Sequence, residues 1–318
     1  MNVLLAGASG TLGSAVLHAL LEAGHQVIAP IRPNAQSRLP SSGACTVVVW
    51  PEEGLSVDSV AHTEIDLVIS CLASRSGSPK DAQRVDYGLN EQLLSVAKAL
   101  SVKRFVLLSA ICVQKPRLAF QHQKLAFEQA LRVSGLDYTI VRPTAFFKSL
   151  SGQIERVNAG KPFLIFGNGD LTACKPISDR DLAAFIVESM AANNCVNRIL
   201  PIGGPGPALT PREQGHLLFQ AFNKPPKWRS VSPKLFDVLA LLITPLAWVS
   251  EWGRARREFL RIGNYYATES MLLWDARRQC YDAAQTPEAG SDTLADFYQR
   301  IARGQEAPPV KDVSQSLF

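Results

Sequence analysis

Short apolar runs alternate with stretches of helical period through the first half of the chain. Val3-Leu4-Leu5-Ala6 is an unbroken apolar run, and a helical pattern follows from Thr11 to Ala23. Gly24 stands where a helix-ending glycine belongs. Further apolar runs occupy Gln26 to Ile31, Thr46 to Val49, Leu67 to Cys71, Phe105 to Leu108 and Tyr138 to Val141. Between the later runs, Gln83 to Leu100 and Leu118 to Val133 carry the three-and-four spacing of helices. The runs are apolar at successive positions rather than alternating with polar residues, which predicts strands covered on both faces. Strands and helices in alternation, with short connections, predict an α/β fold built on a Rossmann-type doubly wound parallel sheet.

After Pro143 the pattern changes. Helical and loop segments dominate, and turn signals stand at Gly167-Asn168-Gly169 and from Gly203 to Pro207. The predicted organisation is a Rossmann domain over 1–145 and a smaller, mainly helical substrate-binding region over 146–303. Some strands of that region are free to return to the first sheet. The polar stretch 304–318, with Pro308-Pro309, reads as a loose tail. No internal repeat is visible.

Composition narrows the function. The 318 residues, 47% apolar and 19% charged, suit a globular chain with a full core. A net charge of +5 without a basic block gives no footprint for nucleic acid and is compatible with anionic ligands. The 6 cysteines include no CxxC pair and the 5 histidines show no ligand spacing, so reduced thiols and no protein-bound metal are expected. Asn2 to Ala6 already reads as a strand, so neither a signal peptide nor a plastid transit peptide is expected, and a bacterial cytoplasmic location follows. The longest apolar segment, Leu235 to Val249, is interrupted by Asp237 and Pro245 and is too short to span a bilayer. Lys234 precedes it and Arg254, Arg256 and Arg257 follow it, which makes 235–257 a candidate for peripheral membrane contact. Nothing in the sequence indicates an oligomeric state.

The chemistry begins at Gly7-Ala8-Ser9-Gly10-Thr11-Leu12-Gly13, placed directly between a strand and a helix. In such a turn one glycine permits the tight bend and another lets the backbone approach a pyrophosphate. The last lets helix and strand pack closely, and the helix start presents free N–H groups. Gly7, Ser9, Gly10, Thr11, Leu12 and Gly13 are therefore candidate cofactor contacts. Leu72 and Ala73 after the fourth strand, Pro143 at the end of the sixth, and Lys124 join them. NAD-binding folds place an acid after the second strand, on the ribose 2′-hydroxyl. Here no Asp or Glu occurs from Ala23 to Pro51; Arg32 follows the second strand, with Ser37 and Arg38 close behind. A guanidinium there pairs with a 2′-phosphate, so NADPH is the expected cofactor.

Many enzymes of the short-chain dehydrogenase/reductase group carry Tyr-x-x-x-Lys on the helix after the fifth strand, where the tyrosine protonates an alkoxide. The corresponding stretch here is Phe120-Gln121-His122-Gln123-Lys124. The lysine is present and the tyrosine is a phenylalanine, which has no proton to give. The chain thus resembles the atypical branch of the group, with its isoflavone-reductase-like and NmrA-like members.

A closer resemblance runs through Ser70 to Arg75, Asp86-Tyr87, Phe105 to Pro116 and Val141 to Ser149. It continues through Ala173 to Ser178, Leu200 to Gly206, Ala208 to Gly215 and Ile262 to Met271. Together these segments resemble the NADPH-dependent divinyl chlorophyllide a 8-vinyl reductases, over nearly the whole chain from Asn2 to about Arg303. The resemblance implies reduction of a ring vinyl group of a magnesium tetrapyrrole to ethyl in chlorophyll or bacteriochlorophyll biosynthesis. It leaves open chlorophyllide, protochlorophyllide or a bacteriochlorophyll intermediate as the substrate. Any magnesium would belong to that substrate. Negative charge left by hydride addition would spread into the macrocycle, so no strong acid is needed at the usual position. A proton must still reach the inner vinyl carbon; water, Lys124, Tyr265 and Tyr266 are the candidates.

A flat apolar pigment needs a broad apolar cleft with a cationic contact. Phe146, Phe147 and the segment Phe236 to Trp252 are candidate walls. Lys148, Lys175, Arg254, Arg256 and Arg257 are candidate cations. Two alternatives stand beside this reading: a non-catalytic NmrA-like NADP-sensing regulator, which needs no large cleft, and a reductase of another conjugated double bond.

Overall fold

The computed structural model describes residues 1–33, 43–51, 54–60 and 64–309. In chain order the first elements are β1 (Asn2–Ala6), α1 (Thr11–Glu22), β2 (Gln26–Ile31), β3 (Cys45–Val49) and β4 (Leu67–Ser70). They are followed by α2 (Pro79–Ala82), a π-helical turn (Gln83–Leu89), α3 (Asn90–Ala99), β5 (Arg104–Leu108), a 3₁₀ turn (Ile111–Gln114), α4 (Ala119–Arg132) and β6 (Asp137–Pro143). The second half contributes α5 (Phe147–Leu150), α6 (Ile154–Asn158), β7 (Phe163–Phe166), α7 (Asp179–Ala191), β8 (Arg198–Ile202) and α8 (Pro211–Ala221). Then come β9 (Trp228–Val231), α9 (Lys234–Val249), α10 (Glu251–Thr268), β10 (Leu273–Asp275), β11 (Cys280–Asp282) and α11 (Leu294–Ala302).

The main sheet has 7 strands in the order β3-β2-β1-β4-β5-β6-β8, and every pairing is parallel. The order reverses direction between β1 and β4, which leaves a crevice at their carboxyl ends. Successive residues of a strand point to opposite faces, and here both faces are buried. Leu5, Ile69 and Val106 pack under α1 and α7. Leu4, Val68 and Phe105 pack under α3 and α4. This two-sided burial is why the strands read as continuous apolar runs.

Elements beyond 145 rejoin the sheet, as the sequence left open: α7 packs beside α1 on the sheet and β8 pairs with β6. The chain leaves the sheet after Pro143, returns for Asp179–Ile202, and only then departs. The helix expected over Gln83 to Leu100 is an α-helix from Asn90 onward; before it the chain winds as a wider π turn. Asn90 compensates for the carbonyls that turn leaves over, donating its amide to Val85 O and Asp86 O.

The cap over the carboxyl edge of the sheet is assembled from small parts. These are a parallel β7–β9 ribbon, a β10–β11 hairpin, a core around Phe147, Phe219 and Tyr298, and the α9–α10 hairpin. The tail begins tied down, since Glu306 pairs with Arg300 at 2.8 Å; residues 310–318 lie outside the described residues.

Candidate active site

The glycine turn closes where β1 hands over to α1. Gly7 has φ +85°, a left-handed conformation that favours glycine, and a Cβ there would lie 2.9 Å from the Cys71 carbonyl. A Cβ on Gly13 would sit 2.0 Å from Gly7 O, so the first turn of α1 rests directly on the loop. Gly10 is the N-cap of α1, has no capping side chain, and no acidic residue occupies the first helical turn. The helix therefore presents unmatched N–H groups and the positive end of its dipole to the crevice. Lys148 Nζ donates to Thr11 Oγ1 at 2.8 Å, adding a cation at the same edge. A cradle of glycine, free N–H groups and lysine fits a dinucleotide pyrophosphate.

The other candidate cofactor contacts lie along the same edge. Arg32 is exposed directly after β2; Ser37 and Arg38 lie outside the described residues. Leu72 and Ala73 follow β4, with Leu72 packed partly against the core. Lys124 on α4 forms an ion pair with Asp86 at 3.0 Å. Asp86 is buried on the π turn and also accepts from Ser74 N, while its Oδ2 has no partner. Lys124 is close enough to Cys112 to favour the thiolate, yet burial dominates there and pushes that thiol's pKa up.

Beside this edge lies a cavity of about 310 Å³. The segments after β5 and β6 (Ala110 to Cys112 and Pro143 to Phe146) form its floor; β7, Cys174, Gln214 and one side of α10 wall it in. The lining is mainly apolar, which suits a flat hydrophobic substrate. Tyr266 is the lining tyrosine, with 41% of its surface accessible. Its hydroxyl end is enclosed beside the buried Cys112 thiol. Burial above all, then Cys112 and Tyr265, raise its pKa well above the usual 10.0, so it stays protonated. Phe120 packs partly against the neighbouring core around Cys112 and Ile262.

The structure separates residues that the sequence grouped. Tyr265 is buried and faces away from the cavity, its hydroxyl donating to Cys112 O at 2.9 Å and Lys115 O at 3.1 Å. It pins α10 to the 3₁₀ turn after β5 and does not line the cavity. Phe146 lines the cavity, whereas Phe147 is buried in the cap core against Phe297, ring centroids 5.1 Å apart. Lys148 serves the glycine turn rather than the pigment cleft. Lys175 is buried, pairs with Glu288 at 2.9 Å and braces the cap; its neighbour Cys174 takes the cavity side of the extended chain. Of the stretch Phe236 to Trp252, Phe236 reaches the site indirectly, its ring tilted against the lining residue Phe166 with centroids 5.3 Å apart. Arg254, Arg256 and Arg257 do not line the cavity.

Sequence reasoning assigned no role to Cys112, Gln214, Ile262, Gly263, Glu269 and Met271, all cavity residues. Ile262 to Met271 was marked by resemblance alone.

Comparison with known proteins accords with this architecture. Residues 7–193 match a family model described as NAD(P)H-binding. The chain is 44% identical to the chloroplastic divinyl chlorophyllide a 8-vinyl-reductase of Oryza sativa subsp. indica, over 96% of this chain and 80% of that one. It is 42% identical to the enzyme of that name from Arabidopsis thaliana, over 96% and 79%. In fold it is similar to UDP-glucuronic acid 4-epimerase from Bacillus cereus, with TM-score 0.68 at 14% identity over 94% of this chain and 96% of that one. On these relatives, the chain belongs to the family of divinyl chlorophyllide a 8-vinyl-reductases, carried on an NAD(P)H-binding Rossmann fold.

Proposed function

We propose that this chain reduces the 8-vinyl group of divinyl chlorophyllide, or of its protochlorophyllide counterpart, to an ethyl group with NADPH. The carrying observation is the apolar cavity at the carboxyl edge of the sheet, lined by Tyr266 and by Phe146 and Ser149, between which Lys148 reaches Thr11 at the glycine turn. Such a cleft is what a purely NADP-sensing regulator would not need.

The nicotinamide, when bound, supplies a hydride. The turn from Gly7 to Gly13 and the start of α1 hold the pyrophosphate, and Lys148 adds charge there. Arg32 meets the 2′-phosphate that distinguishes NADPH from NADH. Lys124, fixed by Asp86, is the candidate for the ribose hydroxyls. The apolar walls exclude water and seat the vinyl-bearing edge of the pigment. Hydride addition at the outer vinyl carbon leaves charge on the inner carbon, spread through the macrocycle, so Phe120 in place of an acid is no handicap. Tyr266 delivers the proton to the inner carbon. Its raised pKa keeps the proton in place until the carbanion forms.

The test is incubation of the folded chain with NADPH and divinyl chlorophyllide. Loss of the vinyl group from conjugation shifts the Soret band to the blue, and the product gains two hydrogens by mass. An unchanged spectrum would refute the reading. Equal rates with NADH would refute the role of Arg32 while leaving the reaction standing.

A further inference from the structure

The α9–α10 hairpin has a face that the rest of the described chain leaves uncovered. Phe236, Ala240, Ile243 and Ala247 form the inward side of α9, packed with Leu260 and Ala267 of α10 or buried beside them. The outward side is apolar as well. Leu241 is 72% exposed, Trp248 78% and Val249 80%, and Leu235, Leu242 and Leu246 are exposed with them. At about 100° per residue these positions occupy roughly half the helix circumference. Exposed Trp252 extends the patch onto α10. Monomeric soluble proteins rarely show contiguous apolar surface of this kind.

Charge selects the occupant. Lys234 opens α9, and Arg254 and Arg256 are exposed in the first turns of α10. The two carboxylates of the segment are engaged: Asp237 accepts from Asn264, and Glu251 pairs with Lys80 at 3.2 Å. Along the chain the indoles of Trp248 and Trp252 fall between the leucines and the arginines, an order suited to a bilayer–water boundary. A second copy docked by the same face would leave these arginines unmatched. Among the described residues no helix is long and apolar enough to cross a membrane, so this face would lie along a surface.

We propose that the outward face of α9, with Trp252 and the arginines of α10, docks the protein on a bilayer carrying anionic headgroups. The hairpin that carries the docking face also adjoins the cavity, by its inward side. Phe236 packs with tilted rings against Phe166 of the cavity wall, and Ile262, Gly263 and Tyr266 on α10 line it. A flat apolar substrate dissolved in lipid thus meets the side of the molecule that holds its cavity. This purpose rests on the proposed function; the docking does not.

The experiment sediments the full chain with vesicles of phosphatidylglycerol and, separately, of phosphatidylcholine, at low and high salt. The chain is expected to pellet with the anionic vesicles about tenfold more than with the neutral ones, and less at high salt. The triple variant Leu241→Ser, Leu242→Ser, Trp248→Ser should lose about tenfold in vesicle binding while keeping its circular dichroism spectrum and its turnover of detergent-dispersed pigment. A chain that stays in the supernatant with both lipids, or a folded variant that still pellets, overturns the proposal. So does a dimer, detected by light scattering and abolished in the variant, without vesicle binding. Vesicle binding with no pigment reduction would instead overturn the proposed function and leave the docking standing.

Discussion

The sheet and the cap meet around a cavity and differ in how much of their fastening is polar. Under the sheet, residues such as Leu4, Leu5, Phe105 and Val106 are fully buried against helices on both sides, and apolar burial dominates. The cap is joined to that frame by an apolar cluster of Ile111, Leu118, Ile262 and Met271 and also by named polar groups. Tyr265 reaches two carbonyls, Glu258 accepts from Ala119 N at the start of α4, and Gln114 binds the backbone of Leu272 and Trp274. Such an arrangement gives a stiff cofactor platform and a substrate wall whose position depends on a few side chains. Substitutions in the two regions should therefore fail in different ways.

The largest effect belongs to the platform. Gly13→Ala places a methyl 2.0 Å from Gly7 O and 3.1 Å from Ala8 Cα, both backbone atoms that cannot turn aside. The loop must move, and nucleotide affinity should fall by about a hundredfold, equivalent to about 3 kcal/mol. NADPH titration by fluorescence measures this, with circular dichroism to show the sheet intact. Unchanged affinity would show that the loop does not form the cradle.

Within the cap, adjacent tyrosines offer a sharper contrast. Tyr266→Phe removes the cavity hydroxyl and should lower kcat by about a hundredfold with little change in melting temperature. Tyr265→Phe leaves two carbonyls without their donor and should cost about 1–2 kcal/mol of stability while kcat changes little. Because Tyr266 holds its proton far into the alkaline range, its deprotonation should not limit the rate at or below pH 10.0. An alkaline inflection below that value that disappears in Tyr266→Phe would contradict the assigned role.

The same contrast explains what was legible beforehand. Strands buried on two faces write themselves as apolar runs, and a glycine turn between strand and helix is a local pattern, so the platform could be read residue by residue. Cap contacts join positions far apart in sequence, such as Tyr265 with Cys112 and Lys175 with Glu288, and no local period encodes them. Tyr265 and Tyr266 were therefore indistinguishable as letters, although neighbouring helix positions face different directions. Lys148 looked like a substrate cation because its partner, Thr11, lies on α1. The π turn was hidden because Gln83 to Leu100 keeps ordinary helical spacing throughout. The return of β8 to the sheet was left open because Ile199 and Ile202 sit in a run broken by Pro201.

A smaller effect tests cofactor choice on the platform. Arg32→Ala should reduce the preference for NADPH over NADH by about tenfold, since the guanidinium is exposed and screened by solvent. Affinities for the two nucleotides, measured side by side, provide the check. A preference that survives intact would move 2′-phosphate recognition elsewhere.

The smallest effect concerns the polar fastening itself, at Glu269. Its buried carboxylate accepts from Lys115 at 2.7 Å and from Tyr281 at 2.6 Å, and Arg117 lies 2.8 Å away. Burial pushes its pKa up, but the Lys115 and Tyr281 hydrogen bonds and the two cations outweigh it, so the net value falls below the usual 4.5. A carboxylate with a depressed folded pKa contributes stability above its unfolded pKa and loses it as pH falls through the folded one. Arg117 is largely exposed, which reduces its share. Glu269→Gln should therefore lower stability by about 0.5–1 kcal/mol at neutral pH. The gap should close as the pH drops below 4.5, where the native carboxylate takes up its proton. Thermal melting of both proteins across that range follows the gap directly. Parallel curves would mean that the cap is held here by packing, as the sheet is, and not by the charge on Glu269.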